Sequence, residues 1–324
     1  MTTPRWEIAK EYVTKYRTLG SKKIARLLVA DLPGEFRDVE QARRMVRYYR
    51  GASGDYNRKT MNPDSYIPAI DAPEAEDENY EPFVLPSDSS PLIVGGDVHI
   101  PYHDQDALEL FIEQAVKIKA KTVLLAGDWI DCYQLSRFCR DPRMRNIAEE
   151  IAVFNEVVGI IKKALPDARI IFKYGNHEER YDTYIMRQAP ELFGLPEIHL
   201  DSMLKLKDQG IQLVDNRRVI KLDHLHIIHG HEYVYSISNP VNPARGLYNR
   251  AKKSALCFHH HQTSEHTESS INGDIVTTWS GGCLCGLHPQ YMPLNKWNHG
   301  FVEITNDDGF YRVTNRRIVN YRVM

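Results

Sequence analysis

From residue 91 to about residue 190, short apolar runs alternate with amphipathic stretches, and that alternation leaves few folds open. "PLIVGGD" (91–97) reads as a buried strand followed by an amphipathic helix near 104–119. "KTVLLAGD" (121–128) is the next strand; a helix near 146–164 leads to "ARIIFKYGNH" (168–177), and another helix follows near 178–188. Strands alternating with helices imply an α/β layout, in which the C-terminal ends of the strands gather the functional loops. After about residue 211 the pattern turns strand-rich, in "RRVIKLDHLHIIHG", "SALCFHHH", "DIVTTWSGG", "GFVEIT" and "YRVTNRRIVNY". There is no internal repeat.

Charge is sorted along the chain. Residues 1–60 carry 14 Lys and Arg against 7 Asp and Glu, a balance of +7, whereas residues 61–90 carry 8 acidic side chains and no basic ones. Three segments follow: a basic helical module at 1–52, an acidic Pro-rich linker at 53–90 and a main domain at 91–324. In the first, "WEIAKEYVTKY" places Trp6, Ile8, Tyr12, Val13 and Tyr16 near one side. "GS" at 20–21 supplies a break and an N-cap for "SKKIARLLVAD", which ends before Pro33-Gly34. A third helix starts at the N-cap Asp38, with Gln41 three residues on, and buries Ala42, Met45, Val46 and Tyr49. Its other face carries Arg43, Arg44, Arg47 and Arg50, candidate nucleic-acid contacts. Three short helices with an Arg-rich last one resemble a helix-turn-helix module. A solvated face, or a dock for a protein partner, would read the same way.

Each strand of the main domain ends in polar residues of one chemical type. The first gives Asp97 and His99, the second Asp128 and Asp131, the third Asn176, His177 and Glu178. Later strands give His229 in "IIHGH" and the run His259, His260 and His261. On extended backbone, residues two apart face one side, so Asp97 and His99 should converge, as should His259 and His261. A lone histidine at a strand end is usually just hydrogen-bonded or solvated, but five such ends in one domain point to metal. Mixed imidazole and carboxylate ligands suit Mn, Fe, Zn or Ni, with more ligands than one ion needs.

In order and type, "GDVH", "GDWID", "GNHE", "HG" and "FHHH" resemble the motif series of the calcineurin-like metallophosphoesterases: D-x-H, G-D-x-x-D, G-N-H-D/E, H and G-H-x-H. With the basic module in front, the chain also resembles phage-encoded members. The resemblance implies a four-layer α/β/β/α sandwich preceded by a small all-α helical domain. It implies two divalent metal ions, manganese foremost, with Asp97, His99 and His261 on one, Asn176, His229 and His259 on the other, and Asp128 bridging. His177 would be the general acid, Asp131 would orient its ring, and Arg180 could pair with a phosphate oxygen, unless it is an ordinary surface arginine. Phe258 stands where the series has glycine, and His231 is the runner-up to His229. Cys132-Tyr133 follow Asp131 where the protein phosphatases of the family have Arg-Gly, which argues against a phosphoprotein specialist.

The expected activity is hydrolysis of a phosphate ester, with the +7 balance favouring a nucleic-acid phosphodiester and DNA as partner. The alternatives are a phosphomonoesterase on a nucleotide or phosphoprotein, or a DNA-binding regulator with a vestigial phosphoesterase domain. No run approaches the roughly 18 apolar residues of a membrane span, and "MTTPRWEIAKEYV" lacks a signal-peptide layout. Five cysteines without a C-x-x-C pair argue against a disulfide framework. The expectation is a cytoplasmic protein, with a homo-oligomer allowed.

Overall fold

The computed structural model describes residues 4–50, 80–137, 141, 143, 146–215, 217–233, 241–307 and 310–324. The chain divides into two compact units, Met1–Asn79 and Tyr80–Met324. Most of the expected linker, residues 53–79, lies outside the described residues.

In the first unit, α1 (Arg5–Lys15), α2 (Ser21–Asp31) and α3 (Val39–Tyr49) close around Ala9, Val13, Ile24, Ala25, Leu28, Phe36, Ala42 and Val46. The Asp38 side chain caps α3 by accepting from the Gln41 N–H, and Gln41 reaches back to the Arg37 N–H. Ser21 is not a cap: Gly20 holds that position, and Ser21 is already helical. Trp6 also departs from the expected face, being 51% exposed, because α1 turns Ala9 and Val13 inward instead.

The three arginines of α3 and the C-cap Arg50 differ in exposure. Arg43 pairs with Glu40 at 3.2 Å, and Arg50 folds back to donate to the carbonyls of Tyr16, Arg17 and Leu19 after α1. Arg44 and Arg47 are exposed. Arg50 thus ties the end of α3 to the turn that follows α1.

The second unit opens with β1 (Phe83–Val84), β2 (Leu92–Gly95), α4 (Gln105–Lys117), β3 (Thr122–Ala126), α5 (Ile147–Ala164), β4 (Arg169–Lys173) and α6 (Glu178–Gln188). Next come α7 (Leu200–Met203), β5 (Gln212–Val214), β6 (Ile220–Leu222), β7 (Leu225–Ile227), α8 (Pro243–Ala251) and β8 (Ala255–Cys257). The chain closes with β9 (Ser264–Ser269), β10 (Ile275–Ser280), β11 (Gly300–Asp307), β12 (Phe310–Val319) and β13 (Arg322–Val323). One sheet runs β13-β12-β11-β2-β3-β4-β5, with β2 to β5 parallel; the other runs β1-β6-β7-β8-β10-β9. Strand β1 comes from the tail of the expected linker and pairs with β6.

Alternation along the strands builds the layers. Leu92, Val94, Leu124, Ala126 and Ile171 face Ile220, Leu222, Ile227, Leu256 and Phe258 between the sheets. The intervening Ile93, Val123, Leu125, Ile170 and Phe172 face the other way, onto Phe111 of α4 and Phe154, Val158 and Ile161 of α5. Beyond the second sheet, Leu247 of α8 packs on Ile228, Ala255 and Cys257. The result is the α/β/β/α sandwich. Helix α8 was not anticipated, although Pro243 at its first turn and the Asn242 cap, accepting from the Arg245 N–H, are ordinary start signals.

Phe111 fixes α4 to the sheet. Its ring is fully buried, 6.2 Å from Trp129 and 5.6 Å from Phe301 between centroids. Phe111→Ala should therefore destabilise the second unit by about 3–5 kcal/mol in chemical denaturation. A loss under about 1 kcal/mol would show that the surrounding rings collapse into the space.

Candidate active site

The ends of β2, β3, β4, β7 and β8 converge on one pocket. Asp97 and Asp128 are essentially fully buried there, with His99, Asp131, His229 and His261 also buried and His177 partly so. Strand alternation is not what brings them together. β2 stops at Gly95 and β8 at Cys257. Asp97, His99, Asp128, His259 and His261 all lie on left-handed backbone, with φ of 53°, 52°, 52°, 72° and 56°. Outside glycine that conformation is uncommon, and Asp, Asn and His adopt it more readily than other types. The residues that carry the chemistry are thus also residues that tolerate the turn.

Asp128 sits at the centre. Its Oδ2 lies 3.2 Å from His229 Nε2, 3.7 Å from His177 Nε2 and 3.9 Å from His99 Nε2. Asn176 Oδ1 is 3.3 Å from His229 Nε2. Across the pocket, Asp97 Oδ1 is 3.5 Å from His261 Nε2 and 3.9 Å from His229 Nε2, and His99 Nε2 is 3.2 Å from His261 Nε2. The site is close-fitting: a Cβ on Gly175 would stand 2.2 Å from Asp128 Oδ1. Phe258, in the glycine position of the series, is fully buried, and its ring takes the space that Gly281 leaves, where a Cβ would come within 2.3 Å.

The imidazoles share one orientation. His99 and His177 each turn Nδ1 to Asp131 Oδ1, at 2.8 and 3.0 Å; His229 Nδ1 donates to the Ala126 carbonyl at 2.9 Å; His261 Nδ1 is 3.7 Å from Cys285 Sγ. Each Nε2 is left facing the pocket. An outward partner on Nδ1 and an inward-turned Nε2 is how metal-binding histidines are held, and of the four only His177 has its Nε2 against a guanidinium, that of Arg180 at 2.7 Å. Asp131 therefore orients His99 as well as His177. His231 does not join them, since its Nε2 is 2.8 Å from Glu179.

Charge states follow from the crowding. Burial opposes ionisation of Asp97, yet His261 and His229 hold it down to about 2; His177 and His229 keep Asp128 well below the usual carboxylate range against the same burial. Burial also opposes protonation of His229 and His261, but Asp128 beside the first and Asp97 beside the second push each up to about 10. Burial and the charge on His229 push His259 down to about 3. The pocket is built to hold positive charge.

Divalent cations fit that requirement. Asp97 Oδ1 is buried without a hydrogen-bond partner, an expensive state that a cation relieves. Among the described residues three groups have ligand atoms within 4.8 Å of one another: His99, His261 and Cys285; His99, Asp128 and His177; and Asp128, His229 and His259. Nitrogen and carboxylate donors of this kind suit first-row divalent ions.

Three glutamates, the buried Glu150 and Glu178 and the half-buried Glu232, none anticipated in this role, brace the loops. Glu178 accepts from the N–H groups of Asp128, Trp129, Ile130 and Gly175, at 2.9, 2.8, 3.2 and 2.8 Å. Glu150 accepts from Cys132 and Tyr133, and Glu232 from His229 and Gly230 while pairing with the fully buried Lys173 at 2.9 Å. Burial and the Asp128 charge hold Glu178 up to about 7 against its four donors; burial opposes the ionisation of Glu232, but Lys173 holds it down to about 2.

A family model described as calcineurin-like phosphoesterase matches residues 90–281. The chain belongs to this family. It is a metal-dependent hydrolase of phosphate esters, and the expected ligands, from Asp97 to His261, all lie within the matched residues. No curated protein matches the chain. Among solved structures, Vps29 from Entamoeba histolytica complexed with Zn2+ is 14% identical, covering 72% of this chain and 95% of its own, at a TM-score of 0.37. YfcE, a phosphoesterase from E. coli, is 13% identical over 72% and 96%, at 0.35. A dimetal phosphatase from Danio rerio is 11% identical over 70% and 96%, at 0.33. No helix among the described residues is long and apolar enough to cross a membrane.

If Glu178 staples the metal loops of the phosphoesterase domain, Glu178→Gln should turn an NH2 towards backbone donors and leave them unmatched. The expected cost is about 1–3 kcal/mol in denaturation, with weaker metal retention on dialysis. Wild-type stability and metal content in the variant would remove Glu178 from that role.

Proposed function

We propose that this enzyme uses two divalent metal ions to hydrolyse nucleic-acid phosphodiesters. The observation that carries the metal part is Asp128 Oδ2, set among His229, His177 and His99 and common to two of the three ligand groups. Asp97, His99 and His261 would hold one ion, Asn176, His229 and His259 the other, and Asp128 both. Manganese leads the proposal, with iron, zinc and nickel suited to the same donors. Such ions supply hydroxide near neutral pH and neutralise phosphate oxygens as charge builds on them.

The chain's own groups do the rest. Asp131 holds His177 through Nδ1, which leaves Nε2 to carry a proton to the leaving oxygen. In the structure the Arg180 guanidinium lies 2.7 Å from that Nε2 and donates to the Asp131 carbonyl at 3.0 Å. A phosphate oxygen arriving here draws the guanidinium to itself and frees Nε2 for the proton. His177→Gln should keep the metals, cut hydrolysis of alkyl phosphodiesters about 10²–10⁴-fold and spare p-nitrophenyl esters, whose leaving group hardly needs a proton. Equal losses on both substrates would exclude the acid role, and loss of metal would make His177 a ligand.

The nucleic-acid part rests on the +7 balance of residues 1–60 and on the exposed Arg44 and Arg47 of α3. Phosphate contacts release counterions, so binding should weaken steeply with salt. Replacing both arginines with alanine should lower the slope of log affinity against log salt by about 2 for DNA. An unchanged slope assigns the module to another partner, and hydrolysis confined to monoesters would favour a nucleotide phosphatase.

A further inference from the structure

The segment 286–298 adds to the pocket something the ligand set does not contain. It leaves the buried Cys283 and Cys285 and returns to His299, where Cys283 and His299 form a bridge and the Gly300 N–H donates to the Cys283 carbonyl at 3.2 Å. Between these pinned ends the segment braces itself. Asn295 Nδ2 donates to the carbonyls of Leu287 and Met292, at 2.6 and 2.8 Å, and its Oδ1 accepts from the Trp297 N–H at 2.9 Å. The Asn298 N–H donates to the His261 carbonyl at 2.9 Å.

What this frame presents is aromatic. The Trp297 ring centroid is 4.0 Å from that of His261, at the wall of the pocket. Tyr291 lies 6.4 Å from Trp297, nearly edge-on at 65°, and is 72% exposed. The contact of Trp297 with His261 sets the segment beside the histidines of the site. Two large rings stand beside the phosphate site, and the exposed Tyr291 offers a flat apolar face. An alkyl chain would use such a face poorly, whereas a nucleobase stacks on it whatever its sequence.

We propose that Trp297 and Tyr291 form a stacking shelf for the base adjoining the phosphate held in the pocket. The shelf rests on the phosphoesterase reading above and narrows the substrate class to nucleotidyl esters, single-stranded nucleic acid foremost. A shelf of this kind recognises bases by their faces and not by their edges, so it confers little sequence preference. It also needs the base unstacked from its neighbours, which a duplex does not offer without cost.

Binding tests it directly. Calorimetry on the full chain with Mn2+ added would compare thymidine 5′-monophosphate with 2-deoxyribose 5-phosphate, two ligands that differ by the base alone. The wild type should bind the nucleotide about tenfold or more tightly. Tyr291→Ala and Trp297→Ala should each remove most of that preference, the loss falling on the nucleotide, and Trp297→Phe should restore part of it. Since Trp297 also packs on His261, the exposed Tyr291 is the safer of the two sites. Equal affinity for the two ligands in the wild type, binding of neither, or a preference that survives Tyr291→Ala and Trp297→Ala would overturn the shelf. A base preference that depends on both rings, in a protein that leaves single-stranded DNA intact, would uphold the shelf and overturn the nuclease reading alone.

Discussion

Two carboxylates, Asp97 and Asp128, are buried at the ends of neighbouring parallel strands, and much of the surrounding structure answers that one constraint. A carboxylate removed from water without a counter-charge costs several kcal/mol, and two side by side also repel each other. Among the described residues, the groups that stand beside the pair are imidazoles and not lysine or arginine. Imidazoles can give up their protons to a metal ion. The charge preferences of His229 and His261, both pushed up to about 10 by the neighbouring carboxylates after burial has opposed them, record the same demand in another form. A proton or a cation must sit there.

Meeting that demand strains the backbone, and the strain is offset one layer out. Five residues of the pocket occupy left-handed conformations, each costing of order 1–3 kcal/mol where the side chain is not glycine. Such geometry persists only where its surroundings over-determine it. Here the buried Glu178 and Glu150 and the half-buried Glu232 collect the N–H groups that the turns expose, each hydrogen bond contributing about 0.5–1.5 kcal/mol and those to the ionised Glu232 about 1.5–3 kcal/mol. Glu232 is itself charge-matched by Lys173 on β4, whose ammonium also donates to the Arg218 carbonyl at 2.8 Å. Glu178 joins the end of β3 to α6, and Lys173 joins β4 to the turn that holds His229, so the pocket is set by tertiary contacts more than by any local motif.

That explains which parts could be read from the sequence. The polar residues at strand ends stand out against apolar runs, and the caps Asp38, Asp104 and Asn146 announce their helices within a few residues. Lys173 and Glu150 look like ordinary charged positions in a strand and a helix, and nothing local marks them as buried. Their partners, Glu232 and the Cys132–Tyr133 turn, are far along the chain. Asp97 and His99 do converge, but through left-handed turns past the end of β2, a geometry that the period of a strand cannot foretell. The Arg-rich face of α3 was legible as composition only, because Arg50 spends its guanidinium on the carbonyls after α1.

The separation between the pocket and the segment beside it also explains why the chemistry was easier to read than the substrate. Metal ligands, Asp131 and His177 face groups that every phosphate ester shares, so they cannot choose among esters. Choice has to come from binding energy on the part of the substrate that does not react. Around this pocket that part would meet Arg180, Tyr291 and Trp297, on α6 and the segment before β11. Those residues carry no motif, because a stacking surface needs only a ring at the right height and not a fixed spacing from a ligand. Selectivity in such a fold is therefore free to change while the buried carboxylates and their imidazoles stay as they are.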